Sequence, residues 1–425
     1  MGLNPFRLHS PETRARIGAK WQGSPALFPL RSSAMRFRHA AGSGPRPIKM
    51  LLASDRKEHT SEQQFAPLFR HGAALRKQRG VVLQHRTVEE ALAMPESTLA
   101  KMDVVGLKLS FRTPAAEAAD CIRRFRAAVG RGGTRLVYFD GDDDLNVQWP
   151  EVLPLVDLYL KKHMFADAGG YVRRYIGKSN LTDYVADQHG ISFAADIIPE
   201  SGGADANATS RIMLGWNIGL DDKIVALARR IGPLSSVGLA KDIDIACVAP
   251  VSNTVWIGPL RRVATDRVRE LAGRFRVFAP QTRIAESEFY GSMLRSRICV
   301  SPFGFGEICW RDFEAICCGC LLVKPDMSHI TTAPDIFIPG VTYVPVKWDY
   351  SDLEEKCAVF LENEHERKKI AQNAAETLIA SLRAEWLLAR IDAMLSALVI
   401  PLTHGANAPT ASGASAGPLS PSVLE

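Results

Sequence analysis

The sequence contains no apolar run of about 18 residues, so no segment is built to cross a bilayer as a helix. It has no second C-x-x-C to complete the one between Cys317 and Cys320, which removes the usual four-ligand zinc pattern. Of its eight cysteines four lie between positions 309 and 320, and neighbours packed this densely cannot all pair with one another. Free thiols in a reducing compartment fit this usage. A zinc site built from Cys317, Cys318 and Cys320 is the sharper alternative, set against their place at the apolar end of a helix. No repeat of 20–50 residues is present, which excludes a solenoid. After residue 50 basic and aromatic residues are not interleaved on any segment, so a nucleic-acid partner is not expected.

Acidic residues are nearly missing from the first fifty positions, where nine basic side chains face Glu12 alone. That segment carries +8 of a total of +6, leaving −2 on the remainder. The basic character therefore belongs to residues 1–46, read as a disordered leader, and not to the folded body. Its composition is that of an Arg-rich presequence, and an early start codon with Met35 as the better start is the other reading. At 46% hydrophobic and 23% charged residues, the 425-residue chain has the composition of a globular protein of two domains.

From Ile48 onward, apolar runs of strand length alternate with helix-period segments, the pattern of an α/β fold. Strands are expected at 48–53, 81–84, 104–109, 136–139 and 156–160. A helix is expected over 61–78 with Ser61 and Gln64 in capping-box spacing, another after the Thr87–Glu90 pair, and one over 114–129 closed by Gly130. The signal fades over 191–220, and a boundary is placed near 235. A second set follows, with strands at 244–249, 274–278, 298–301, 321–323 and 341–344, a helix capped by Ser351 and Glu354, and helices over 363–398. The expected organisation is thus a Rossmann-like domain at 47–235, another at 236–400, and a disordered tail at 401–425. Two such sheets facing a cleft bind ligands outside the carboxyl ends of their strands, so unusual polar residues just after a strand are the site candidates.

The strongest signal is Ser301-Pro302-Phe303-Gly304-Phe305-Gly306-Glu307-Ile308-Cys309-Trp310-Arg311-Asp312-Phe313-Glu314-Ala315. A strand ends in a glycine loop and runs directly into a helix, whose first N–H groups can face an anion. Gly304 and Gly306 permit close approach of the main chain. Arg311 in the first turn offers a fork suited to a phosphate, and Glu314 one turn on shares its face and suits ribose hydroxyls. The bland alternative is an exposed i,i+3 salt bridge. An NAD fingerprint is excluded in practice, because Cys309 stands where it wants Gly or Ala.

This segment, continued by Leu322-Val323-Lys324-Pro325-Asp326-Met327-Ser328-His329, resembles the donor-binding segment of glycosyltransferases with two Rossmann domains (GT-B), near the exostosin-like and group 1 branches. The resemblance is specific over about residues 297–352. It implies a nucleotide-sugar donor held by the second domain, a glycan, lipid or small acceptor held by the first, no cofactor beyond the donor, and no obligatory metal. It makes Glu314 the ribose ligand and Arg311 the support of the diphosphate, with Gly304, Gly306, Glu307 and Lys324 as further donor contacts. Where many group 1 members have a second Glu, this chain has Gly306, with Glu307 one step out of register.

Two clusters of the first domain also follow strands. Asp140-Gly141-Asp142-Asp143-Asp144 is either an acidic turn or a source of a general base, Asp142. Lys161-Lys162-His163 places an imidazole near the cleft, with no orienting partner visible in the sequence. Asp142 and His163 are the candidate bases, and His329 and Asp326 candidate sugar contacts. The expected function is a cytoplasmic glycosyltransferase, with a membrane-surface acceptor as one possibility. The rival is a nucleotide-binding or scaffold protein of the same fold without chemistry.

Overall fold

The computed structural model describes residues 46–401, apart from 59, 131–132, 178–179, 192–199 and 251–255. The leader and the tail expected at 1–46 and 401–425 fall almost wholly outside these residues.

The first half contains β1 (Ile48–Ser54), β2 (Val81–Thr87), β3 (Val104–Lys108), helix α1 (Ala115–Val129), β4 (Arg135–Asp140), β5 (Leu158–Lys161), β6 (His163–Phe165) and β7 (Ile212–Leu214). Six of these strands form one parallel sheet in the order β2-β1-β3-β4-β5-β7. All five residues of β3 are buried, as a strand covered on both faces requires. α1 ends where Gly130 takes φ +65°, a conformation open to glycine without strain.

Helix α2 (Asp222–Ile231), capped by the Asp221 carboxylate, leads into the second half. There β8 (Ile243–Ala246), helix α3 (Ile257–Glu270), β9 (Val277–Phe278), β10 (Ser296–Val300), helix α4 (Trp310–Cys317), β11 (Leu321–Pro325), β12 (Ile330–Thr332) and β13 (Val344–Val346) follow. Their sheet is parallel too, in the order β9-β8-β10-β11-β13. Both sheets reverse direction of strand order beside their first strand, which creates a crevice at the carboxyl ends on either side of it. In the second sheet that crevice lies between the ends of β8 and β10.

Two features tie the halves together. β6 pairs antiparallel with β12, His163 opposite Thr332 and Phe165 opposite Ile330. After helix α5 (Glu364–Ser381) the chain returns, and helix α6 (Ala384–Ala397) buries Leu387, Leu388, Ile391, Met394 and Leu395 in one cluster with Ile48, Met50 and Leu52. Arg79 grips Asp392 of α6 with two bonds of 2.6 and 2.8 Å.

Several expected elements differ in detail. The helix expected over 61–78 is three short helices, Thr60–Gln63, Ala66–Arg70 and Gly72–Arg79, because Pro67 begins a new helix and His71 closes it. Ser61 does not cap: its Oγ donates to Asp55 Oδ1 at 2.8 Å. The Thr87–Glu90 box forms as expected. The Ser351–Glu354 box does not, since the helix begins at Leu353 and the Ser351 N–H donates to Asp349 instead. Asn363 caps α5, and the helices expected over 363–398 are α5 and α6, parted at Leu382–Arg383. β7, a three-residue strand in the faded stretch, was not expected at all.

Among the described residues no helix is long and apolar enough to cross a membrane. All eight cysteines are free thiols. Cys317, Cys318 and Cys320 are buried in the main core, and burial pushes the Cys317 thiol up to about 12. Among the described residues no His, Cys, Asp and Glu gather in a metal-binding group, so the zinc alternative finds no ligand set there.

Candidate active site at the strand ends

In the first half the acidic turn after β4 is an ion-pair cluster. Lys161 at the end of β5 donates to Asp140 Oδ2 at 2.6 Å, Lys108 at the end of β3 donates to Asp142 Oδ2 at 2.7 Å, and Lys162 pairs with Asp143. Burial pushes the Asp140 carboxyl up, but Lys161 and Lys108 outweigh it and hold it low. For Asp142 burial wins, helped by the repulsion of Asp140, and its carboxyl is raised despite Lys108. Its Oδ1 is buried with no hydrogen-bond partner. Lys108, Lys161 and Lys162 are therefore neutralised locally.

In the second half the glycine loop follows β10 and enters α4. The side chains of α4 from Arg311 to Cys317 are all buried, so the exposed salt bridge of the bland reading does not exist. Arg311 spans the crevice between β8 and β10: Nε donates to Ser301 Oγ at 3.0 Å, Nη1 to the Val248 carbonyl at 3.3 Å and Nη2 to the Pro302 carbonyl at 2.5 Å. The guanidinium thus holds two strand-end loops in place. Asp312 closes the start of α4, accepting from the Cys309 N–H at 2.9 Å, and also takes Lys324 Nζ at 3.1 Å and Ser301 Oγ at 2.5 Å. The cation Lys324 and the helix start are accordingly already matched by one carboxylate. Glu314 accepts from Tyr290 Oη at 2.9 Å and pairs with Lys223 of α2 at 2.7 Å. Lys223 lies over the Trp310 ring at 4.2 Å.

The two halves meet at this loop. A Cβ on Gly306 would lie 1.9 Å from the Asp143 carbonyl oxygen, so the close approach that this glycine permits is to the acidic turn itself. The next residue, Glu307, is fully buried and stands between two histidines, with Oε2 3.3 Å from His163 Nε2 and Oε1 3.7 Å from His329 Nε2. Burial pushes the Glu307 carboxyl up, and the hydrogen bonds and charges of His163 and His329 more than reverse it. The His163 imidazole is pushed down, burial exceeding the opposing pull of Glu307. When Nε2 donates to Glu307, Nδ1 keeps its lone pair, and this atom is buried without a partner. A neutral imidazole oriented by a carboxylate is the arrangement of an activated base. The orienting partner absent from the sequence reading of His163 is Glu307, 144 positions away.

Arg261 lies in the second turn of α3, away from the strand-end loops that carry the sequence signal. A Cβ on Gly304 would be 3.7 Å from its Nη2. Nη1 donates to the Pro250 carbonyl at 3.1 Å, and Nε is buried with no partner. Burial and the neighbouring Arg311 charge lower its pKa, and among the described residues no carboxylate pairs with it. It is a desolvated cation facing the glycine loop. Of the other candidates, Asp326 is occupied by Ser328, and His329 packs edge-on to Trp348 at 5.2 Å. Trp216 is a core residue, its Nε1 donating to the Gln64 carbonyl.

Residues 256–393 match the family model described as glycosyl transferase-like, a segment that contains the glycine loop, α4, Arg261, Glu307, His329 and Lys324. No curated protein matches the chain in sequence. Among solved structures it is similar to HepE of Anabaena in complex with UDP, at 12% identity and TM-score 0.42, over 82% of this chain and 99% of that one. A glycosyltransferase of Rickettsia africae is similar at 12% identity and TM-score 0.42, over 83% and 99%. Sucrose-phosphate synthase of Thermosynechococcus elongatus is similar at 13% identity and TM-score 0.40, over 83% and 99%.

Proposed function

We propose that this chain is a glycosyltransferase that moves a sugar from a nucleotide-sugar donor, held by the second half, to a glycan, lipid or small acceptor reached from the first. The observation that carries this reading is the glycosyl transferase-like segment 256–393, which contains Arg261, the glycine loop, α4 and Lys324. In this reading the diphosphate is received at the crevice between β8 and β10. Arg261 supplies the unmatched positive charge there, and Arg311 keeps the Val248 and Pro302 loops in position to receive it. Glu314 serves the ribose, with Lys223 fixing its orientation.

The acceptor hydroxyl gives its proton to His163 Nδ1 as its oxygen attacks the anomeric carbon, and the bond to the diphosphate breaks with the electron pair leaving on the phosphate oxygen. Glu307 stabilises the imidazolium formed in that step. Asp142, raised and with one free oxygen, is the second candidate for the base. Because Gly306 rests on Asp143 and His163 is fully buried, entry of substrates requires the loop 302–308 to lift from the acidic turn. No metal is needed for this scheme, since cationic side chains carry the leaving-group charge.

The test is release of nucleoside diphosphate from UDP-, GDP-, ADP- and CDP-sugars, with binding followed in parallel. A protein of this fold without chemistry would bind one nucleotide saturably and release nothing.

A further inference from the structure

On the opposite side of the second sheet, at the amino ends of its strands, lies a cavity of about 280 Å³. Its walls come from the loop before β8, the first residues of β10 and β11, the turn at Gly319 after α4, and the first two turns of α5. Four cations line it, Lys241, Arg297, Arg367 and Lys368, against the single carboxylate of Glu364.

The pairing of these cations leaves donors over. Arg367 has a side chain only 7% exposed, and the hydrogen bonds it donates leave from Nη1, to the Phe360 carbonyl at 2.9 Å and the Leu361 carbonyl at 3.5 Å. Its Nη2 has Glu364 at 3.9 Å, while that carboxylate is held more closely by Lys368 at 2.6 Å. Arg297 uses Nη1 on Asp244 at 2.8 Å, outside the cavity wall. Among the described residues Lys241 donates to the carbonyl groups of Leu294 and Cys318. Burial lowers the Arg367 pKa, and Arg297 lowers it further by repulsion, with Glu364 opposing. Like charges gathered around one buried guanidinium, with planar N–H donors to spare, suit a phosphate oxygen set better than they suit water.

We infer that this cavity is a second ligand site, separate from the strand-end crevice, and that it takes a phosphate monoester group, borne by a small sugar phosphate or present as free phosphate. The volume holds a phosphate together with a small attached group. A five-residue strand separates it from the glycine loop, so both sites can be filled at once.

Calorimetric titration of the full chain with inorganic phosphate, and separately with a hexose 6-phosphate, tests this. Saturable binding is expected in the wild type and equally in Arg261→Gln, whose lesion lies at the other site. Lys368→Gln and Arg297→Gln are each expected to weaken it about tenfold, the effect of losing one charge-assisted bond, and the double variant to abolish it. Lys368 is exposed on 45% of its side chain, so Lys368→Glu supplies a variant that folds even if Arg297→Gln does not. Tighter binding of the hexose phosphate would identify the sugar-bearing ligand, and equal affinity would identify phosphate itself. The inference is overturned by an absence of saturable binding up to about 10 mM, a very weak affinity. It is equally overturned if Lys368→Glu leaves binding unchanged, or if Arg261→Gln removes it.

Discussion

Glu307 decides how the site is understood at the level of single residues. The sequence resemblance made it a donor contact one step out of register, and the structure instead makes it the buried partner of His163 and His329. Glu307→Gln is therefore expected to lower kcat by about 10² or more, the scale of a general-base contribution, while leaving the donor dissociation constant within a few fold. The pH profile distinguishes this from simple damage. Glu307 raises the His163 pKa against the lowering effect of burial, so its removal should move the acidic limb of kcat/KM to lower pH. Stability has a related dependence. The folded pKa of both His163 and Glu307 is below the ordinary value, so both disfavour protonation of the native state. The stability they contribute is present above the unfolded pKa values and is lost as pH falls first through the histidine range and then through the carboxylate range. Thermal melts from pH 7 to pH 4 should show Tm falling, and the fall should be smaller in the double variant His163→Gln/Glu307→Gln.

The elements explain which contacts matter between the halves. Gly306 sits on the Asp143 backbone, and a carbonyl 1.9 Å from where a Cβ would stand cannot yield as a flexible side chain would. Gly306→Ala should displace the loop from the acidic turn, with loss of transfer activity and a lowered Tm, both measurable on the purified variant. α6 belongs energetically to the first sheet, and Ile391→Ala, at a fully buried position, should cost about 2–5 kcal/mol in chemical denaturation. Most of this architecture could be read from the sequence, because strands buried on both faces appear as continuous apolar runs and Gly130 marks a helix end. The failures share a cause, which is that tertiary contacts overrode local pattern. Ser61 found Asp55 across the chain instead of its own helix, β7 is three residues long, and α6 looks like any other amphipathic helix until its partner sheet is known. The site shows the same limit. The strand-loop-helix at 301–314 announced itself through glycine spacing, whereas the His163–Glu307 pair and the placement of Arg261 arise only when the halves meet.

At the scale of the whole molecule, the +8 of the first fifty residues separates from a body of −2, so the charge that serves chemistry is local. Among the described residues no carboxylate pairs with Arg261, Arg311 spends its donors on Ser301 and two carbonyls, and Lys108, Lys161 and Lys162 are matched by aspartates. A leaving group stabilised by side chains should need no divalent ion, so transfer is expected to persist in EDTA within about twofold, far less than the several kcal/mol that a catalytic metal supplies. The central claim is that the crevice between β8 and β10 receives a nucleotide sugar and splits it. Its most direct measurement is the release of nucleoside diphosphate from the four classes of nucleotide sugar, by the wild type and by Arg261→Ala and Glu314→Ala. Saturable release from one donor, reduced at least about tenfold in both variants as the loss of a charged contact requires, is the result expected. Release that is unaffected by either substitution, or none from any donor with or without acceptor, would contradict it.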